Sequence, residues 1–75
     1  MKRSDKEIQK KIDELEKVKD SGKMGAMRAY NFISALTDCL EMDEEEIDGK
    51  IDEFIETDYD LYAVYDWAIE GRDNF

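Results

Sequence analysis

Histidine and proline are absent from this chain of 75 residues, cysteine occurs once, and glycine only four times. Without histidine, the commonest general base and the commonest neutral metal ligand are missing. The single cysteine, Cys39, excludes an intrachain disulfide, and with it the small secreted scaffolds that lean on disulfides in place of a core. The expected compartment is therefore the cytoplasm. No apolar run is long enough to cross a bilayer, and Met1-Lys2-Arg3-Ser4-Asp5-Lys6 leads into charge where a secretory signal would place an apolar stretch. A soluble chain with no membrane partner is expected. Its length makes one domain, residues 1–75, that hides only about 60% of the surface of its unfolded form, too thin a core for a large internal cavity.

Acid is what the chain has in abundance. The net charge is −10, unevenly spread: residues 1–23 carry eight Lys/Arg against six Asp/Glu, whereas residues 24–75 carry three against fifteen. Twelve of the acids fall between Asp38 and Asp60. Such a surface repels nucleic acid and anionic lipid and attracts basic proteins by long-range steering. Direct binding of DNA or RNA is not expected.

With no proline, helix ends are read from caps and periodicity. Ser4 with Glu7 forms a capping-box pattern, and Ile8, Ile12, Leu15 and Val18 follow at helical spacing to about Asp20, where Ser21-Gly22 breaks the run. After Gly25, a second helix of about sixteen residues places Ala29, Phe32, Ile33, Leu36, Cys39 and Leu40 on one face. Asp43 with Glu46 repeats the cap, and Ile47, Ile51, Phe54 and Ile55 predict a third helix to about Glu56. Thr57 with Asp60 is a candidate cap for a fourth, with Leu61, Val64, Tyr65 and Ala68 inside and a stop at Gly71; the last four residues are expected to fray. Glu7 to Leu15 matches Glu46 to Phe54 at six positions. The fold class is all-α, a small four-helix domain, and a duplication would make it two packed helical hairpins.

The third helix carries the most informative surface. Opposite its apolar side lie Glu45, Asp52 and Glu56 in a row, flanked by Asp48, Glu46 and Glu53, with Gly49 in their midst. Like charges three and four apart, and glycine inside a helix, both cost helix stability. A helix rise of about 6 Å between Asp52 and Glu56 is similar in scale to neighbouring phosphates, so the row can imitate a nucleic-acid backbone before a basic groove. The alternative is an ordinary solvated face that maintains solubility. On the fourth helix, Tyr59, Tyr62 and Asp66 are expected on a face away from the core, where rings beside carboxylates suit an arginine; Trp67 on the flank reads as structural. These large rings can equally be area for a thin core. The candidate partner-binding residues are Glu45, Asp48, Asp52, Glu53, Glu56, Tyr59, Tyr62 and Asp66.

The first helix is basic. Lys10, Lys11, Lys17 and Lys19 can face the acidic helix of the same chain or, in a homodimer, of a second copy; otherwise they pair locally, Asp13 with Lys17 and Glu16 with Lys19. Met24 and Met27 near the loop suit an adaptable contact. No catalytic residue, metal or cofactor is expected. Cys39 lies on the apolar stripe as a small hydrophobe, and carboxylate pairs on an exposed helix lack the desolvation that tunes a catalytic acid or base. Asp58-Tyr59-Asp60 opens like a calcium loop but has Ala63 where glycine is needed and Ile69 where glutamate is needed. Phosphate-cradling and zinc-binding motifs are missing.

The series Ile8, Ile12, Leu15, then a helix from Ala29 to Leu40, then Asp43-Glu44-Glu45-Glu46-Ile47 and Asp66-Trp67-Ala68-Ile69-Glu70-Gly71 resembles short acidic helical proteins of bacteria, prophages and other mobile elements. That resemblance implies a helical fold and a mobile-element origin, and carries no activity or site. By charge the chain also looks like phage-encoded DNA-mimic inhibitors of restriction or CRISPR enzymes. The expected function is a non-enzymatic inhibitor or regulator docking on a basic surface of a nucleic-acid-binding protein. The alternative is a small helical homo-oligomer or adaptor whose acids keep it soluble.

Overall fold

The computed structural model describes residues 1–70, of Glu70 the backbone only. They form four helices and no strand: α1 (Asp5–Ser21), α2 (Ala26–Glu41), α3 (Glu44–Phe54) and α4 (Tyr59–Glu70). The expected stop at Gly71 and the four residues after it lie outside the described residues.

Helices α1 and α3 start in the same way. The Ser4 hydroxyl accepts the Glu7 N–H at 3.2 Å, and the Glu7 carboxylate accepts the Ser4 N–H at 3.3 Å. Asp43 and Glu46 repeat this exchange at 2.8 and 3.2 Å. Each box satisfies two of the backbone donors that a helix start leaves without partners. The repeated sequence thus sits at equal helix positions, and its first isoleucine, Ile8 or Ile47, is fully buried in both copies. Helix α1 ends where Gly22 takes a left-handed φ of 77°, a conformation a side chain would resist.

Two boundaries differ from the sequence reading. Helix α4 is capped by Asp58, whose Oδ1 accepts the Leu61 N–H at 3.2 Å, and not by Thr57, whose hydroxyl instead donates to the Glu53 carbonyl at 3.1 Å. Asp, Ser and Thr all compete for such starts, and one residue of register decides which side chain reaches the third amide. Helix α3 ends at Phe54, before Glu56, so Ile55 falls in the following turn and is 53% exposed instead of joining the core.

Helix α1 packs on α2 and α3 on α4, and the two pairs meet through α2 and α4. This is the arrangement of two helical hairpins. Ile8, Ile12, Leu15, Phe32, Leu36, Cys39, Ile47, Val64, Tyr65 and Ala68 form one continuous core. Full burial of a Leu, Ile, Val or Phe side chain contributes roughly 1.5–3 kcal/mol, so this short list supplies most of the drive to fold. Of the expected α2 stripe, Ile33 and Leu40 are only partly covered.

Ahead of α1, residues 1–3 lie against the ends of α4 and α2. The Arg3 N–H donates to the Ala68 carbonyl at 2.8 Å and its Nε to that of Trp67 at 2.7 Å, while the Lys2 ammonium donates to the Met42 carbonyl at 2.6 Å. Met1 contributes its terminal ammonium to the Ile69 carbonyl at 3.1 Å and to Glu44 at 2.6 Å. The last carbonyls of a helix have no partner within it and carry the negative end of its dipole, which is why cations collect there. The Arg3 guanidinium also lies 4.2 Å from the centre of the Trp67 ring. No described helix is long and apolar enough to cross a membrane.

Candidate functional site

Helix α3 holds its acidic residues outward because Ile47, Ile51 and Phe54 turn the opposite side to the core. Glu44, Glu45, Glu46, Asp48, Asp52 and Glu53 are all exposed, as is Glu56 in the turn that follows. Their partners divide them. Glu44 meets the terminal ammonium of Met1, Glu46 completes the capping box, and Glu53 lies 3.4 Å from the Lys50 ammonium one helical turn away. Among the described residues, the side chains of Glu45, Asp48, Asp52 and Glu56 make no hydrogen bond or ion pair. Glu45 stands in the first turn, where the helix dipole favours an anion; Asp52 stands near the last, where it does not.

Two of the bases that could neutralise this row pair elsewhere. Lys19 pairs with Glu16 on its own helix at 3.2 Å, the local pairing the sequence suggested. Asp13 accepts a hydrogen bond from Gln9 at 3.2 Å. Arg28 on α2 reaches Asp60 on α4. Helices α1 and α3 belong to different hairpins and are not among the closely packed pairs.

The tyrosines separate by depth. Tyr59, at the first position of α4, is 70% exposed, and its ring centre is 6.0 Å from that of the half-buried Tyr62 at a tilt of 53°. Tyr65 is core, stacked with Phe54 at 6.0 Å and 9° between planes. Its phenol is held above the ordinary value by burial first, then by the nearby Cys39, Asp38 and Glu53. Trp67 is 5% exposed, as a structural ring should be.

Asp66 does not belong to the exposed face. It is 5% exposed, in a stretch from Ala63 to Ile69 that is buried at every position. A helical wheel assigns α4 one inner face, but α4 packs against both α3 and α2 and is covered further by residues 1–3. Among the described side chains, only its first turn remains for an outside face. Enclosure by an extended N-terminal segment has no periodicity to announce it, which is why the sequence placed Asp66 with Tyr59 and Tyr62.

The structure thus keeps Glu45, Asp48, Asp52, Glu53, Glu56, Tyr59 and Tyr62 at the surface and removes Asp66. The ion pair of Arg28 with Asp60, which ties the start of α2 to the start of α4, was not expected from the sequence, where Asp60 figured only in a cap and a calcium-loop comparison; the 32-residue separation left no local signal. Cys39 is fully buried, and its thiol is pushed up to about 12, mainly by burial. Among the described residues, no group of three or more Cys, Asp or Glu side chains is arranged to hold a metal ion. Compared with known protein families, with curated proteins and with solved structures, the chain matches none.

Proposed function

We propose that this chain is a non-enzymatic binding protein whose α3 face docks on a basic, nucleic-acid-binding surface of another protein and inhibits or regulates it. A nuclease of a host defence system, of the restriction or CRISPR kind, is the sharpest version of that partner. One observation carries the reading: Glu45, Asp48, Asp52 and Glu56 stand exposed and without ion pairs among the described residues, although the chain has eleven Lys and Arg. A face that served only hydration gains from interspersed lysines, whereas a face that meets a phosphate-binding groove must keep its charge uncompensated. Tyr59, beside the row in sequence and mostly exposed, adds a ring of the type that anchors interfaces.

The test is recovery of partners from a lysate at about 50 mM and about 300 mM salt, across which phosphate-type contacts lose orders of magnitude. Nucleic-acid-binding proteins recovered at the lower salt, released by added DNA or RNA, and lost with Glu45→Gln, Asp48→Asn, Asp52→Asn and Glu56→Gln together, support the reading. Recovery unchanged by those four substitutions counts against it.

A second reading, a helical homo-oligomer or adaptor, draws on the exposure of Met27 at 74%, Tyr30 at 59% and Ile55 at 53%. Self-association through such residues is indifferent to salt or strengthened by it. Sedimentation at the same two salt concentrations separates the readings.

A further inference from the structure

Between α2 and α4 runs a groove of about 380 Å³. Phe32, Ala35 and Tyr65 form its floor, each no more than 5% exposed, with the half-buried Leu61 beside them. Asp38 on the α2 side and Asp58 at the start of α4 stand at its rim, and the Arg28–Asp60 ion pair also lines it. The size falls within the roughly 300–1,000 Å³ of ordinary ligand sites.

We propose that this groove receives one arginine side chain of the basic partner, its stem on the apolar floor and its guanidinium at the acidic rim that Asp38 and Asp58 provide. The proposal rests on the acidic-face reading above, because it supplies the specific anchor that a row of exposed charges lacks. Asp58 adjoins that row in sequence, two residues beyond Glu56, so one partner surface can meet both.

Three observations select the occupant. First, the charge is complementary: of the three carboxylates in the lining only that of Asp60 is neutralised, by Arg28, while the Asp38 side chain makes no hydrogen bond or ion pair among the described residues and Asp58 uses one oxygen to cap α4. Second, the groove wall already holds a guanidinium in this manner. Arg28 is gripped by both oxygens of Asp60 and lies 5.3 Å from the centre of the Phe32 ring. Third, Asp38 stands near enough to the Tyr65 ring of the floor to add to the rise of its phenol, a rise that burial causes first. A planar guanidinium can pair with a carboxylate through two parallel hydrogen bonds and lie on an apolar floor at once, which a compact, strongly hydrated ammonium does less well.

The test titrates the full chain, labelled with nitrogen-15, with an acetylated glycine–lysine peptide carrying one central arginine, and with its twin carrying lysine at that place. The expected result is shifts of the Asn31 side-chain amide and of the Ser34, Asp38 and Leu61 backbone amides, with about tenfold tighter binding of the arginine peptide. Asp38→Asn with Asp58→Asn removes that difference; asparagine caps a helix as well as aspartate, and circular dichroism verifies the fold. Shifts confined to residues 45–56 with equal affinity for both peptides overturn the groove and leave the acidic face standing. Groove shifts that survive neutralisation of Glu45, Asp48, Asp52 and Glu56 uphold the groove whatever becomes of the face. Groove shifts equal for the two peptides, or none at about 1 mM peptide, overturn it.

Discussion

The guanidinium of Arg28 and the carboxylate of Asp60 meet in a two-pronged ion pair, Nε to Oδ2 at 2.9 Å and Nη2 to Oδ1 at 3.0 Å, that fastens the first turn of α2 to the first turn of α4. The hydrogen bonds from Arg28 hold the Asp60 carboxyl below its ordinary value of 3.8. A carboxyl that is more acidic in the folded chain than in the unfolded one stabilises the fold at pH above 3.8, and that contribution is lost as pH falls through its folded value. With side chains 57% and 41% exposed, the pair is screened and its contribution small. Asp60→Asn is expected to melt slightly below the parent at neutral pH and low salt. The gap should close both in acid and at high salt, and thermal melts along the two axes measure it.

The start of α4 offers a sharper contrast. Asp58→Ala removes the side chain that accepts the Leu61 amide and is expected to cost about 1 kcal/mol. Thr57→Ala removes only a hydroxyl bonded back to the Glu53 carbonyl, and should change stability little. Urea denaturation of the two variants decides which residue is the cap; an equal loss in both would restore Thr57 to that role.

Local chemistry made most of this fold legible in the sequence. The boxes Ser4–Glu7 and Asp43–Glu46 use side chains three residues apart, and the buried isoleucines follow at helical spacing, so α1, α2 and α3 were readable from one stretch of chain at a time. The exposed acids of α3 were readable for the same reason, since they lie opposite Ile47 and Ile51. What escaped was whatever depended on distant residues. Asp66 is buried because α4 is covered from several sides, and Arg3 stacks on Trp67 from 64 residues away. Neither fact leaves a period in the sequence. The misplaced cap at Thr57 and the exposed Ile55 arise from a smaller cause, the early end of α3, where periodicity alone does not say whether the chain completes another turn.

Gly49 sits inside α3, and a Cβ built there would meet nothing within 4 Å. Glycine in a helix interior sacrifices about 1 kcal/mol relative to alanine, through the freedom it retains in the unfolded chain. Gly49→Ala is therefore expected to stabilise the protein by about that amount, read as a rise in the urea midpoint with no change in slope. Because the methyl group adds no charge, capture of partners at low salt should remain as in the parent. A loss of capture with a gain in stability would mean that the partner approaches the helix backbone at Gly49 itself.

Cys39 gives the core a signature in alkali. Its thiol is pushed up to about 12 in the folded chain, mainly by burial, with the Lys2 charge opposing and Asp38 adding to the rise, against an ordinary value of 9.0. Well below pH 9 the thiol is protonated whether the chain is folded or not, and stability is unaffected. Above that pH the unfolded chain releases the proton while the folded chain retains it, so stability declines between about 9 and about 12. Tyr65, also raised by burial, acts in the same direction. Loss of charge from the lysines contributes equally to a variant without the thiol, so the informative quantity is a difference between two differences. From about pH 8 to about pH 10.5, the parent should lose more melting temperature than Cys39→Ala, even though the variant begins lower for want of the buried sulfur. A thiol reagent supplies the independent check, because a sulfur with no exposed surface reacts only when the structure opens. Parallel pH curves together with fast labelling at neutral pH would place Cys39 outside the core and, with it, the packing of α2 against α4.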